Sequence, residues 1–333
     1  MRKEKVLTGG LVSLFIVSAC LATGQVHWLL NDQPVFGPGP PGVWDNGSII
    51  GFCVVRNGDR YVVYYDSGAV GIGRATSSDG LVWQREPTAP VLARGPDLYD
   101  AKYIWGPAVV ADPDGYKMWY TSSDPDNTWT ISLAVSHDGV EWVKCPSNPV
   151  LRVDLPDKVG DPWVIWEDGL YKMWYTHYNR SLGHFVIDYA TSPDGVEWRR
   201  YERNPVLAPS ESGPDSSSVR DPCVIRTDNG YGMWYRGIGL MQRNWTICYA
   251  SSTDGVTWTK HEGNPVLGGQ EDTWLYRLWF PRVVRGPDGY SMWFTSRVSG
   301  EVGYAFYPIS ESLFLALGAL IAWGASRIQE KAL

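Results

Sequence analysis

Positive charge is in short supply. The chain of 333 residues carries 29 Lys and Arg against 36 Asp and Glu, a formal net charge of −7. No basic stripe is available to neutralise phosphates, which excludes nucleic acid as a partner. Long apolar runs occur only near the two ends, so the body of the chain does not read as membrane-embedded. Cysteine is sparse, five in all. What is abundant is Trp (18), Tyr (19), Gly (36) and Pro (23), the composition of an all-β protein with many tight turns.

The N-terminal end begins Met1-Arg2-Lys3-Glu4-Lys5 and continues with an apolar run from Leu11 to Ala22. This charged-then-apolar form is that of a secretory signal, and it predicts export to the cell surface or periplasm. Val17-Ser18-Ala19-Cys20 resembles a bacterial lipobox; an ordinary signal peptide that contains a Cys is the alternative. Leu313 to Ala325 is again apolar and precedes Arg327 and Lys331, so it reads as a membrane anchor or a sorting tail, although a full span needs ~20 apolar residues. A terminal helix packed on the domain is the other reading. The expected division is residues 1–23 as signal, 24–308 as the folded domain and 309–333 as anchor or tail. Cys53, Cys145, Cys223 and Cys248 permit disulfides in an exported chain. Because Cys53 and Cys223 stand at equivalent points of two repeats, buried unpaired thiols are expected there.

Internal repetition sets the fold. The pattern A-x-S-x-D-G-x-x-W occurs four times, at Ala75–Trp83, Ala134–Trp142, Ala190–Trp198 and Ala250–Trp258. Asp-Gly is a strong hairpin signal, since Gly accepts positive φ without steric cost. An apolar strand precedes each copy, and a fifth example runs from Tyr290 to Thr295. Before that strand, across a turn, lies a Val/Ile-rich stretch such as Pro162-Trp163-Val164-Ile165. With the Trp-bearing outer strand, each unit of about sixty residues has four strands, which is a propeller blade. Asn-Pro-Val-Leu, at Asn148, Asn204 and Asn264, then ends the outer strand. The fifth unit lacks its outer strand, but Trp28, Pro34, Val35 and Phe36 repeat the pattern of Trp83, Pro90, Val91 and Leu92. The N-terminal segment is therefore expected to close a five-bladed β-propeller, leaving no open edge. A chain that closes its own ring is expected to be monomeric.

In such a ring the first strand of each blade lines a central channel. At the position before its Pro, blades three and four carry Asp161 and Asp221, where the other blades have Gly51, Gly106 and Phe280. The same face should collect Trp105, Arg220, His177, Arg236 and Arg297. It should also collect the crossover residues Asp45, Asp100 and Asp215, each six residues before the compared position, a regularity that argues partly for a structural role. Converging carboxylates with aromatic walls are what glycosidic cleavage needs, one acid for the leaving oxygen and one base for water. Asp161 and Asp221 also fit a second role, as turn residues that bond backbone donors. No cofactor is required by this reading, and a Ca²⁺ ion among the channel carboxylates is compatible with it.

Asp-Pro-x-Val-Ile, Tyr-Lys-Met-Trp-Tyr-Thr, the Asp-Gly hairpin and Asn-Pro-Val-Leu together resemble the five-bladed glycosidase propellers of glycoside hydrolase families 32, 43, 62 and 68 and the related family 130 phosphorylases. The resemblance runs from about Trp28 to Phe306. It implies an Asp base, supplied by Asp161, and a second Asp in an Arg-Asp-Pro motif, matched by Arg220-Asp221-Pro222. It also implies a Glu acid, for which Glu271 is the candidate, in a crossover loop without the family's surrounding motif. The expected function is an exported glycoside hydrolase acting on oligo- or polysaccharide. The alternative is a propeller that binds glycan without cleaving it.

Overall fold

The structure, a computed structural model, describes residues 28–68, 70–240, 244–268 and 273–309. The signal segment with Cys20, the apolar tail from Leu313, and Glu271 lie outside the described residues.

Five antiparallel sheets form a ring. Blade one consists of Phe52–Asn57, Arg60–Ser67, Gly71–Ser77 and Gln84–Arg85, with the short Leu92–Ala93 also paired to its third strand. Blades two and three run Tyr103–Asp112, Gly115–Ser123, Trp129–Ser136, Val143–Lys144 and Lys158–Glu167, Leu170–Asn179, His184–Ser192, Arg199–Arg200. Blade four is Ser218–Thr227, Gly230–Ile238, Trp245–Ser252 and Thr259–Lys260. Blade five has Leu278–Arg285, Gly289–Ser296 and Val302–Pro308, and its fourth strand is Leu29–Leu30 from the N-terminal side. Leu29 pairs with Phe306, Leu30 with Ala305, and Phe36 bridges Val302. The expected closure is therefore present.

Second strands are buried on both faces because each blade packs against two neighbours. Met118-Trp119-Tyr120 and Met173-Trp174-Tyr175 are accordingly continuous apolar runs without alternation. The Asp-Gly turns serve the seams between blades. Ser192 Oγ accepts from the N–H groups of Asp194 and Gly195, and Asp194 Oδ1 accepts from Val196 and Glu197. The folded turn offers its Gly195 carbonyl to the indole N–H of Trp119 in the preceding blade, at 2.9 Å. Trp174 donates likewise to Gly255, Trp293 to Gly80, and the Tyr64 hydroxyl to Gly139. Burying each indole contributes roughly 4 kcal/mol, against ~1 kcal/mol net for its hydrogen bond. Burial stabilises the seam, and the bond fixes its register. Cys53, Cys145, Cys223 and Cys248 are all free, and all but Cys145 are buried.

Candidate functional site

The channel end of each first strand is bent by the same device. In blades two to five the pairing register slips at Trp105/Ala108, Gly160/Trp163, Arg220/Cys223 and Trp279/Arg282. Within each slip one residue takes positive φ: Gly106 (59°), Asp161 (50°), Asp221 (52°) and Phe280 (47°). Such a bulge re-aims a side chain, and Asp tolerates this region better than most residues. The second strand of the preceding blade ties the bulge down. Thr121 Oγ1 accepts the N–H of Asp161 at 2.7 Å, and Thr176 Oγ1 accepts that of Asp221 at 3.0 Å. In blade one the corresponding residue is Asp66, whose carboxylate accepts from the N–H groups of Ile50, Gly51 and Gly106.

With their own backbone held by threonines, the two aspartate side chains are free to meet each other and two arginines. Asp161 Oδ1 accepts from Trp105 Nε1 at 2.9 Å, and its Oδ2 from Arg220 Nη2 at 3.1 Å. Arg236 grips Asp221 through Nε at 2.9 Å and Nη2 at 3.1 Å. Both carboxylates have 0% exposure. Burial pushes Asp161 upward, but Arg220, a hydrogen bond from Asp221, Arg236 and Trp105 together hold it below the usual carboxylate range. Asp221 goes the other way. Burial, opposed by Arg236 and reinforced by the charge on Asp161, raises it to about 6. The surroundings thus drive the two acids apart, Asp161 toward its ionised form and Asp221 toward its protonated one. Asp66 is raised by burial to about 7 against its three backbone donors, with Asp161 adding to the rise. Burial also lowers Arg236 to about 10.

In front of this floor stands an aromatic and cationic rim. Arg220, with 16% of its side chain exposed, lies over Phe185 at 4.0 Å and Trp129 at 5.7 Å. Trp129 also carries Lys158, and Trp245 carries Arg277. Arg236 sits between Trp245 and Trp279, 5.0 Å from each ring. Arg297, exposed, also lies over Trp279, at 5.5 Å.

Of the residues selected from the sequence, Trp105, Asp161, Arg220, Asp221 and Arg236 come together, with Arg297 at the rim. Asp45, Asp100, Asp215 and His177 are held elsewhere. Asp45 accepts from Tyr65 and Arg85, Asp100 from Lys144, and Asp215 from Tyr235 and Lys260. Each ties a crossover to the outer strand of its own blade, which accounts for the constant spacing. His177 bridges Asp188 at 2.9 Å and Asp157 at 3.1 Å, beside the Asp188–Arg200 pair. These carboxylates therefore belong to blade anchors, and the structure does not bring them to Asp161 and Asp221. Among the described residues no group of three or more His, Cys, Asp or Glu is arranged to hold a metal ion. No Glu is among the hydrogen-bond or ion-pair partners described for Asp161 or Asp221.

Two groups escaped the sequence reading. The fifth residue after the Tyr of each second strand is Asp66, Thr121, Thr176, Arg236 and Thr295, a column in which Asp66 departs from Thr as clearly as Arg236 does. The rim aromatics Trp129, Phe185 and Trp245 each stand five residues before the repeat's Ala. Both columns are visible once the repeats are aligned.

Comparison with known proteins agrees with this architecture. The profile of the β-1,4-mannooligosaccharide phosphorylase family matches residues 153–274, and that of the glycosyl hydrolase family 32 N-terminal domain matches residues 60–187. An uncharacterized protein of Mycobacterium tuberculosis is 32% identical over 203 residues, 56% of this chain and 65% of that protein. The chain thus spans just under two thirds of that relative. Among solved structures, a thermostable family 43 glycoside hydrolase superposes with TM-score 0.62 at 21% identity, covering 79% of this chain and 90% of that one. A mannoside phosphorylase family member, from a family described as containing glycoside hydrolases that target β-1,2 mannosidic linkages in Candida mannan, gives 0.68 at 18%, covering 85% and 94%. At those identities the structures speak for the fold, while the two profiles span blades one to four. The chain belongs to the five-bladed β-propeller glycosidase superfamily, with no single family within it singled out.

Proposed function

We propose that this protein is a carbohydrate-active enzyme that cleaves a glycosidic bond at the front of its channel, with Asp161 as the ionised carboxylate and Asp221 as the partner that holds its charge and orientation. What supports the reading is one observation. Two buried aspartates, on strained bulges of adjacent blades, have environments that push their proton affinities apart. Two titratable groups driven in opposite directions are the usual mark of divided acid and base duties. The rim adds aromatic faces for sugar rings. Arg220, Arg277, Arg297 and Lys158 favour an anion beside them, so inorganic phosphate is a candidate co-substrate alongside water. Relatives supply both precedents, a phosphorylase family and a hydrolase family. Export and attachment through Cys20 or the C-terminal tail complete the proposal and place the substrate outside the cytoplasm.

A second reading, glycan binding without cleavage, is favoured by the complete burial of both carboxylates beneath Arg220 and Trp105. A screen of chromogenic mannosides, fructosides, arabinosides and xylosides, each with and without phosphate, separates the two. Turnover that falls at least a hundredfold in Asp161→Asn is expected for an acid or base. Binding without turnover across the whole screen, equal in parent and variant, would overturn the enzyme reading.

A further inference from the structure

Four seams of the ring are stoppered by an Asp-Gly turn, and one is not. In blade five the residues aligned with Ser77, Asp79 and Gly80 are Tyr307, Ile309 and Ser310. The Ser that folds the turn and the Gly whose carbonyl receives the neighbouring ring are therefore both gone. Trp234 of blade four, the counterpart of Trp119 and Trp174, consequently faces a cleft of about 510 Å³, within the range of ~300–1,000 Å³ typical of small-ligand sites.

Trp28, Trp234, Tyr249, Tyr290 and Tyr307 wall this cleft. Trp234 lies 4.8 Å from Tyr249 and 5.9 Å from Tyr290, and Trp28 lies 5.5 Å from Tyr307, measured between ring centroids. The lining is not simply apolar. Among the described residues, no hydrogen bond engages the hydroxyls of Tyr249, Tyr290, Tyr307 or Thr227, or the ring nitrogens of the exposed His261. The described lining contains no Asp, Glu, Lys or Arg. Burial and then the neighbouring phenols Tyr290 and Tyr307 push the Tyr249 phenol upward, as expected of hydroxyls gathered at one spot.

We infer that this cleft between blades four and five is a second carbohydrate-binding site, separate from the channel, which takes a neutral sugar residue of a longer glycan. The aromatic faces match the C–H faces of a pyranose or furanose ring. The free hydroxyls match its hydroxyl groups, and the absence of charge in the described lining matches its neutrality. An apolar occupant, such as the run Leu313 to Ala325 of the chain's own tail, would cover the rings but strand the hydroxyls. A quaternary ammonium would do the same.

The test uses the full chain carrying Asp161→Asn, so that polysaccharide is not consumed, in native gels cast with soluble β-mannan, levan or arabinoxylan. Retardation in at least one gel is expected. The double variant Tyr249→Phe/Tyr290→Phe, which keeps both rings and removes two hydroxyls, should weaken apparent affinity at least fivefold. In the otherwise unmodified chain, the same pair should leave turnover of a small aryl glycoside and the circular dichroism spectrum unchanged. No retardation in any gel, or equal retardation with and without the two hydroxyls, would overturn the site. So would efficient crosslinking from a benzoylphenylalanine placed at Val266 to residues 310–333, which would give the cleft to the tail. Because the readout is binding, a protein that cleaves nothing but loses retardation in the double variant would keep this inference and sink the enzyme reading.

Discussion

Replacing Asp221 with Asn and replacing Asp161 with Asn are the same chemical edit made one blade apart, and the site gives them opposite signs. Asp221 keeps its proton up to about pH 6, where the ordinary value is 3.8. Between those values the folded chain holds a proton that the unfolded chain has released, so stability falls as pH rises through that window. At 1.36 kcal/mol per pH unit the fall is about 3 kcal/mol. Asn has the shape and neutrality of the protonated acid, which keeps Asp221→Asn at the acid-side stability at every pH. With its oxygen kept on Arg236 Nη2, its amide nitrogen cannot accept where Asp221 Oδ2 faces Arg236 Nε and the Phe280 N–H, a loss of about 1 kcal/mol. At pH 8 the variant should therefore equal the parent or exceed it by up to about 2 kcal/mol.

Asp161 is held below the usual range, so its charged form is the one the fold prefers. That stability is present above the unfolded value and is lost as pH falls through the folded one. Asp161→Asn strips Arg220 of its nearer carboxylate, with Asp221 left at 4.0 Å, and leaves either Arg220 or Trp105 without an acceptor. Removing one member of a buried pair costs about 3 to 5 kcal/mol, and the partial exposure of Arg220 argues for the lower end. Urea midpoints followed by tryptophan fluorescence at pH 5 and pH 8 read both variants. A loss of more than 2 kcal/mol for Asp221→Asn at pH 8, or equal losses for the two variants, would refute the division of the proton between them.

Deleting residues 28–36 removes the strand that pairs with Val302–Pro308, and the exposed edge should lower the melting temperature and cause concentration-dependent aggregation; an unchanged melt would refute the closure. Gly195→Ala places a methyl 2.6 Å from the Trp119 ring at a φ of 80°, so a loss of about 2 to 4 kcal/mol is expected. Gly169→Ala, with similar φ and open space, should lose only ~1 kcal/mol, and equal losses would argue against the seam. For His177, burial pulls the pKa down, but the hydrogen bond and charge of Asp188, then Asp157, outweigh it and raise it. The stabilisation is full below the unfolded value and is lost as pH rises through the folded one. The stability gap between parent and His177→Gln should therefore be larger at pH 5.5 than at pH 9, and a gap that grows with pH would contradict the assignment.

The blades, their strand order and the N-terminal closure were legible because a repeat records its own register. Asp-Gly marks the turn, Trp marks the outer strand, and the lack of both after Tyr307 marks the blade that must borrow a strand. The channel pair was legible for the same reason, since Asp161 and Asp221 depart from the Gly of two other blades. Pairwise reach was harder to read. His177 lies one residue beyond the column that touches the bulges, and that single step turns it toward Asp157 and Asp188. Asp45 and Asp100 looked convergent because their spacing is constant, yet what is constant is their pairing with a basic residue on the outer strand. A conserved offset within a repeat reports what every blade needs, whereas function is more often found where one blade breaks the column.

That distinction bears on the strained positions themselves. The fold asks for positive φ at the channel bulge, and Gly meets the demand at least cost, as Gly106 does. Blades three, four and five instead hold Asp161, Asp221 and Phe280, each at a cost of order 1 kcal/mol or more. Phe280 contributes its ring to the wall beside Trp279 and Arg282, so packing accounts for it. Neither aspartate is explained in that way. Its strain comes with burial of a carboxylate, a burden that Gly would remove entirely, and the two acids lie on adjacent blades where one proton can join them. A scaffold under no other demand would use Gly106's solution throughout, and the proposed function is one demand that would keep two acids here, beside their pairing with Arg220 and Arg236.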